Sequence, residues 1–159
     1  MKEQVIDVIF NPVPDTGNRN ILDDDPKEIK ENKIKYPYES RKTVHITVVT
    51  TKRTFSFNIC NGYVWNGADI PVFLWRIIGS RYNPEFRKAS MIHDYMLQFK
   101  KFMLNEILKN EISVKEYRRL TSLIFRHVIK KQGTGTVKAN IMSFAVDTFQ
   151  KFNFKGWRI

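Results

Sequence analysis

The sequence holds a single cysteine, Cys60, among 159 residues. That excludes an internal disulfide framework and suits a reducing compartment. No uninterrupted apolar run approaches the roughly 18–20 residues needed to span a bilayer. The first ten residues carry Glu3 and Asp7 and lack the basic start and continuous apolar core of a signal peptide. The chain is therefore expected to be soluble, to have no membrane partner and not to be exported by the usual route. No helix-turn-helix spacing, zinc knuckle or RNA-binding aromatic signature occurs, which argues against sequence-specific nucleic-acid reading. Gly133-Thr134-Gly135-Thr136 with Lys138 lacks the spacing of a phosphate loop and is expected to be a helix–helix turn. There are no internal repeats, and no motif calls for a cofactor.

What is present is a globular composition, 42% hydrophobic and 27% charged, in one domain's length of chain. The net charge of +11 is unevenly placed. Residues 1–40 hold 6 Lys/Arg against 9 Asp/Glu, a balance of −3, whereas residues 41–159 hold 21 against 7, a balance of +14. So basic a body attracts polyanions or an acidic protein surface, and non-specific DNA contact is the nucleic-acid reading left open. The alternative is simply a basic, solvated surface.

Residues 1–40 are expected to be an acidic, extended arm. Asn11-Pro12-Val13-Pro14-Asp15-Thr16-Gly17-Asn18 is dense in turn formers and Asp23-Asp24-Asp25-Pro26 is an acidic stop. Val5, Ile6, Val8, Ile9 and Phe10 offer an apolar patch that adds a strand or docks on a neighbour. From Thr43 the pattern changes. Val44, Ile46 and Val48, then Phe55, Phe57 and Ile59, alternate with polar residues at period two, which predicts a hairpin. Tyr63-Val64-Trp65 begins a third short strand. Cys60 is expected to be a buried strand residue.

Four helices are predicted beyond Pro71, over about 72–78, 84–109, 113–132 and 136–152. Asn83-Pro84-Glu85 starts the second, and Ser113-Val114-Lys115-Glu116 is a capping box for the third. The third helix carries Tyr117, Leu120, Ile124, His127 and Val128 on one face, so His127 reads as a core histidine. The Phe152, Phe154, Trp157 tail is expected to pack back on the body. The fold class is α+β: a small antiparallel hairpin or sheet over about 43–65 covered by three to four helices, with a basic domain over 41–159.

Two segments carry the residue types that do chemistry. In Asn61-Gly62-Tyr63-Val64-Trp65-Asn66-Gly67-Ala68-Asp69-Ile70-Pro71 a strand leaves through a glycine turn toward a helix start. That places small polar groups where ligands are often held. In Arg87-Lys88-Ala89-Ser90-Met91-Ile92-His93-Asp94-Tyr95, His93 faces inward on a long helix and Asp94 lies about 100° round from it. In this order and spacing, the two segments resemble domain of unknown function 1353, a family of tailed phages and prophages. The family's pattern runs glycine-aromatic, D-G-A-S-I-P, A-x-x-H-D-x-x-Y, then a helix with A-D-x-x-F. The resemblance covers residues 60–130 and implies phage origin and a compact α+β fold, without an established reaction. Asn66, Gly67, Ala68, Asp69, Pro71, His93, Asp94 and Tyr95 are the motif positions. Asn66 stands where the pattern has Asp, Asp69 where it has Ser, and Ser122 where the later acid would fall. An amide or hydroxyl does not replace a carboxylate as a proton acceptor at neutral pH.

Two classes of function remain open. The first is a virion-associated structural or accessory protein of the neck, tail or portal region. It would bind other phage virion proteins in an oligomeric assembly, in the virion after a passage through the host cytoplasm. Val5, Ile6, Ile9, Phe10, Trp65 and Trp75 are its expected partner contacts. The second is a phage-encoded metal-dependent hydrolase with His93, Asp94 and Asp69 as catalytic candidates, and His127 as a further ligand. Adjacent His and Asp on one helix diverge, so no metal is expected. A phospholipase-like site would need a glycine-rich calcium loop and an orienting acid, and position 122 is Ser. A DNA-associated or host-directed accessory factor is the last alternative.

Overall fold

The structure, a computed structural model, describes residues 2–67 and 86–152. Among these residues the chain forms two three-stranded antiparallel sheets and five helices. The first sheet has the order β1-β4-β5, built from β1 (Val5–Asn11), β4 (Val44–Thr50) and β5 (Thr54–Ile59). The second has the order β2-β3-β6, built from β2 (Thr16–Asn18), β3 (Tyr38–Ser40) and β6 (Val64–Trp65). The helices are α1 (Lys27–Lys35), α2 (Arg87–Gln98), α3 (Lys100–Phe102, running on into a π-helical turn Met103–Ile107), α4 (Val114–Lys131) and α5 (Thr136–Phe152).

The predicted hairpin is β4–β5, in register Val44↔Ile59 through Val49↔Thr54. Its period-two pattern sorts the side chains. Val44, Ile46, Val48, Phe55, Phe57 and Ile59 are buried. On the other face His45 Nδ1 meets Asn58 Oδ1 at 2.8 Å and Thr47 Oγ1 meets Ser56 Oγ at 2.9 Å, the polar cross-strand pairs of an outer sheet face. Because Ile59 points inward and ends β5, Cys60 falls outside the sheet and is exposed. This corrects the expectation of a buried strand cysteine.

The N-terminal apolar patch adds a strand. β1 pairs with β4 from Val5↔Thr50 to Asn11↔His45, with a register shift between Val5 and Asp7, and Val8 is fully buried. Val5 and Phe10 pack against the core, while Ile6 and Ile9 face outward. Glu3 then fastens this segment to the hairpin turn, accepting from Thr50 Oγ1 at 2.7 Å and Arg53 Nε at 3.0 Å. Farther along, α1 buries none of its residues.

α4 is the centre of the helical layer and packs on α2, α5 and β1. Its start is the predicted capping box: Glu116 N–H donates to Ser113 Oγ at 3.3 Å, and Ser113 N–H donates to Glu116 Oε2 at 2.9 Å. Tyr117, Leu120, Ile124 and Val128 form its buried stripe. His127 lies on the stripe's edge and is half-buried, with Nε2 3.7 Å from Asp7 Oδ1 of β1. It therefore packs at a boundary and not in the core.

The helix predicted over about 84–109 is interrupted. α2 ends at Gln98, Phe99 breaks it (φ −104°, ψ 28°), and the continuation widens into the π-helical turn, closed by Leu108 N–H on the Met103 carbonyl at 2.8 Å. Neither glycine nor proline marks this break. The predicted helix over about 72–78, the start at Asn83-Pro84-Glu85 and the packing of Phe154 and Trp157 lie outside the described residues.

Candidate functional site at the junction of β6 and α2

The two motif segments meet. β6 pairs with β3 through Tyr38↔Trp65 and Glu39↔Val64, which turns the Trp65 ring under α2. Gly62, at φ +83°, makes the turn into this strand, and its N–H donates to the Ser40 carbonyl at 2.7 Å. Gly67 leaves the strand at φ +96°, a left-handed conformation that favours glycine. Asn66 is half-buried and Gly67 buried. Ala68, Asp69, Pro71 and Trp75 lie outside the described residues.

α2 brings Ala89, Ile92, His93 and Met96 to one face by helical spacing, and all four are buried. Ser90 is buried too, and it is the residue by which the helix takes hold of the strand. Its Oγ accepts from Trp65 Nε1 at 3.0 Å and donates to the Arg87 carbonyl at 3.0 Å. Trp65 is fully buried, which corrects its expected role as a partner contact: no partner reaches an indole enclosed in this way. Nothing in the local pattern singled out Ser90, although it stands three residues before His93 and hence on the same helical face.

Around this bond lies an aromatic cluster. Tyr63 stacks on Trp65 (5.9 Å between centroids) and meets Tyr95 edge-on (5.3 Å). Tyr95 in turn stacks on Phe57 of β5 at 5.5 Å, so both sheets and α2 share one set of rings. The Arg87 guanidinium sits over the Tyr38 ring at 4.9 Å, a cation–π contact. Burial, and then the negative charge of Asp94, push the Tyr63 phenol well above its ordinary value, so it keeps its proton at all physiological pH.

His93 and Asp94 lie inside this shell, with side chains only 1% and 6% exposed. His93 Nδ1 is 3.4 Å from Asp94 Oδ1, a long contact for a hydrogen bond. The imidazole presents its edge to Phe125 of α4, with centroids 5.7 Å apart. His127 lies against β1 and Asp7, so His93 and His127 have different neighbours. Among the described residues no group of three or more His, Cys, Asp or Glu side chains could hold a metal ion. A general base has to reach the proton it takes at about 3 Å, and groups this enclosed are presented to their protein neighbours. The arrangement joins helix, strand and hairpin through buried polar and aromatic contacts.

These features define a small α+β domain whose two motif segments close on each other around a buried His–Asp pair. The chain belongs to the family described as Protein of unknown function (DUF1353), whose profile matches residues 42–146. That match takes in β4, β5, β6, α2 to α4 and most of α5, while β1 to β3 and α1 precede it. The chain is also 30% identical over 103 residues to the uncharacterized protein y4jT of Sinorhizobium fredii (strain NBRC 101917 / NGR234). The alignment covers 60% of this chain and 26% of y4jT, so the similarity spans about a quarter of that protein's length. No solved structure matches the chain. Among the described residues, no helix is long and apolar enough to cross a membrane.

Proposed function

We propose that this protein is a bacteriophage virion-associated structural or accessory component, of the neck, tail or portal region, that acts through protein–protein contacts and not by catalysis. The observation that carries this reading is the distribution of exposed apolar side chains. Seven of the eleven exposed large apolar side chains among the described residues, Ile6, Ile9, Val13, Ile21, Leu22, Ile29 and Ile34, lie in the first 40 residues, and the other four are Phe99, Phe102, Val137 and Phe144. Apolar surface concentrated in this way is the usual mark of a contact with another protein. The closure of the His93–Asp94 pair supports the non-catalytic half of the proposal, and the sequence resemblance to tailed-phage proteins supports the setting.

Quantitative mass spectrometry of purified, nuclease-treated particles of a phage that encodes this chain tests the reading. The expected result is a reproducible copy number that fits closed ring symmetry. Absence from the particles would overturn it. An activity abolished by His93→Ala in a protein that still folds would turn the assignment toward the hydrolase.

A further inference from the structure

The N-terminal segment and β1 run beside α4, and the space between them opens into two cavities of about 390 and 440 Å³. Both are lined by Lys2, Glu3, Arg119 and Leu123, so they form one continuous groove. Arg119, Arg126 and Lys130 stand at i, i+7 and i+11 of α4, positions that fall on one stripe about 16 Å long. Lys2 and Lys52 occupy the opposite rim.

Two carboxylates also line the groove, and each is engaged at home. Glu3 is held by Thr50 and Arg53, and Glu116 by the N–H and hydroxyl of Ser113. Lys52 faces Glu116, but most of the cations are left uncompensated. The side chains of Lys2, Arg119 and Lys130 make no ion pair or hydrogen bond among the described residues. Among the described residues Arg126 donates only to the neutral amide oxygen of Asn140, at 2.5 Å.

We infer that this groove binds the phosphate backbone of duplex DNA without reading its bases. A row of unpaired cations on a rigid helix suits regularly spaced phosphates and carries no sequence information. Among the described residues no Phe, Tyr or Trp lines the groove, and its one imidazole, His127, is mostly buried beside Asp7, so the described lining lacks the run of stacked rings by which proteins hold single strands. Among the described residues its apolar floor is Leu120, Leu123 and Val5, too little for the apolar centre of a protein–protein interface. The inference goes beyond the contact role proposed above and does not depend on it.

The test is fluorescence anisotropy of the full chain with a labelled duplex of about 20 base pairs, titrated at several salt concentrations and repeated with a second duplex of unrelated sequence. The two duplexes are expected to bind alike, with log affinity falling by about three to four for each tenfold rise in salt. The double variant Arg119→Glu/Lys130→Glu should weaken binding about tenfold or more and reduce the salt slope by about two. A control of equal charge change on other surfaces, Lys42→Glu/Lys101→Glu, should stay within about twofold of the parent at the same salt. Equal loss in the two double variants would overturn the site, because net charge alone would then explain binding. Failure of the parent to bind duplex would overturn it too. So would tighter binding of poly-glutamate through the same residues, which would make the groove an acidic-protein site. Should the charge-reversed variant fail to fold, Arg119→Gln/Lys130→Gln and protection of Lys2, Lys52 and Lys130 from acetylation by bound duplex give the same decision.

Discussion

Trp65 Nε1 donates to Ser90 Oγ at 3.0 Å inside the protein, and the bond joins the two motif segments across 25 residues of chain. The indole N–H is enclosed, so removing its acceptor leaves a buried donor unsatisfied. Ser90→Ala is expected to cost about 1–3 kcal/mol, read as a lower urea midpoint at unchanged slope. A loss below about 0.5 kcal/mol would mean that another acceptor takes over and that this bond does not hold the junction.

The Tyr117 hydroxyl donates to the Met96 carbonyl at 2.6 Å. Met96 lies in the last turn of α2, where carbonyls lack a helical donor. Because the helix breaks at Phe99, a side chain from α4 supplies the missing bond. Tyr117→Phe keeps the ring and removes the donor, and should lower stability by about 1–2 kcal/mol. Hydrogen exchange should show the loss concentrated at the end of α2.

His93→Ala empties a space between Phe125 and the aromatic cluster and removes a group that touches Asp94. The expected cost is about 1–3 kcal/mol in thermal or urea unfolding. A variant as stable as the parent would show that the imidazole is not held for structural reasons, and would favour a chemical role.

The contact of α4 with β1 should weaken in acid. Burial holds the His127 imidazole below its ordinary value, against the opposing pull of the Asp7 carboxylate. The unfolded chain therefore takes up this proton first, and stability falls as pH drops below about 6.5. The hydrogen bond from Lys131 holds the Asp7 carboxyl below its ordinary value. Its contribution is present above the unfolded pKa and is lost as pH falls through the lower folded one. Urea unfolding across pH should show His127→Gln flattening the slope just below about 6.5. Asp7→Asn should flatten the more acid limb and, by removing its pull on His127, steepen the limb just below 6.5, and at neutral pH should cost less than about 1 kcal/mol because the pair is well exposed to solvent.

Lys109 follows the π-helical turn at φ +50° and Asn110 at φ +60°. Asparagine tolerates this left-handed region, whereas lysine carries a strained Cβ there. Lys109→Gly should stabilise the protein by about 0.5 kcal/mol, once the larger freedom of glycine in the unfolded chain is set against the relieved strain. A destabilised Lys109→Gly variant would show that the lysine side chain contributes packing that outweighs this strain.

What the sequence made legible was what repeats or caps. Seven alternating residues revealed β4, and the Ser113–Glu116 pair located the start of α4 to the residue. β2 and β3, with three residues each, are too short for a period to show. Their place depends on long-range pairing that local patterning does not encode. The break at Phe99 carries no glycine or proline, since it is shaped by the tertiary contacts of Tyr95, Met96 and Phe99. Within the site, His93 and Asp94 were found by motif. The crowding of Tyr63, Trp65, Phe73 and Trp75 pointed to mostly core rings, but not to which, because an indole suits an interface as readily as a core until its N–H partner is known.

The ion pair of Lys131 with Asp7 joins residues 124 positions apart, and β1 pairs with a strand some 40 residues downstream. β1 thus has its sheet neighbour only after β4 has left the ribosome, and its helical clamp only after α4 has. Until then its apolar residues stand unprotected beside other nascent chains. The order of synthesis therefore sets a period of exposure that begins when β1 emerges and closes when α4 has followed it.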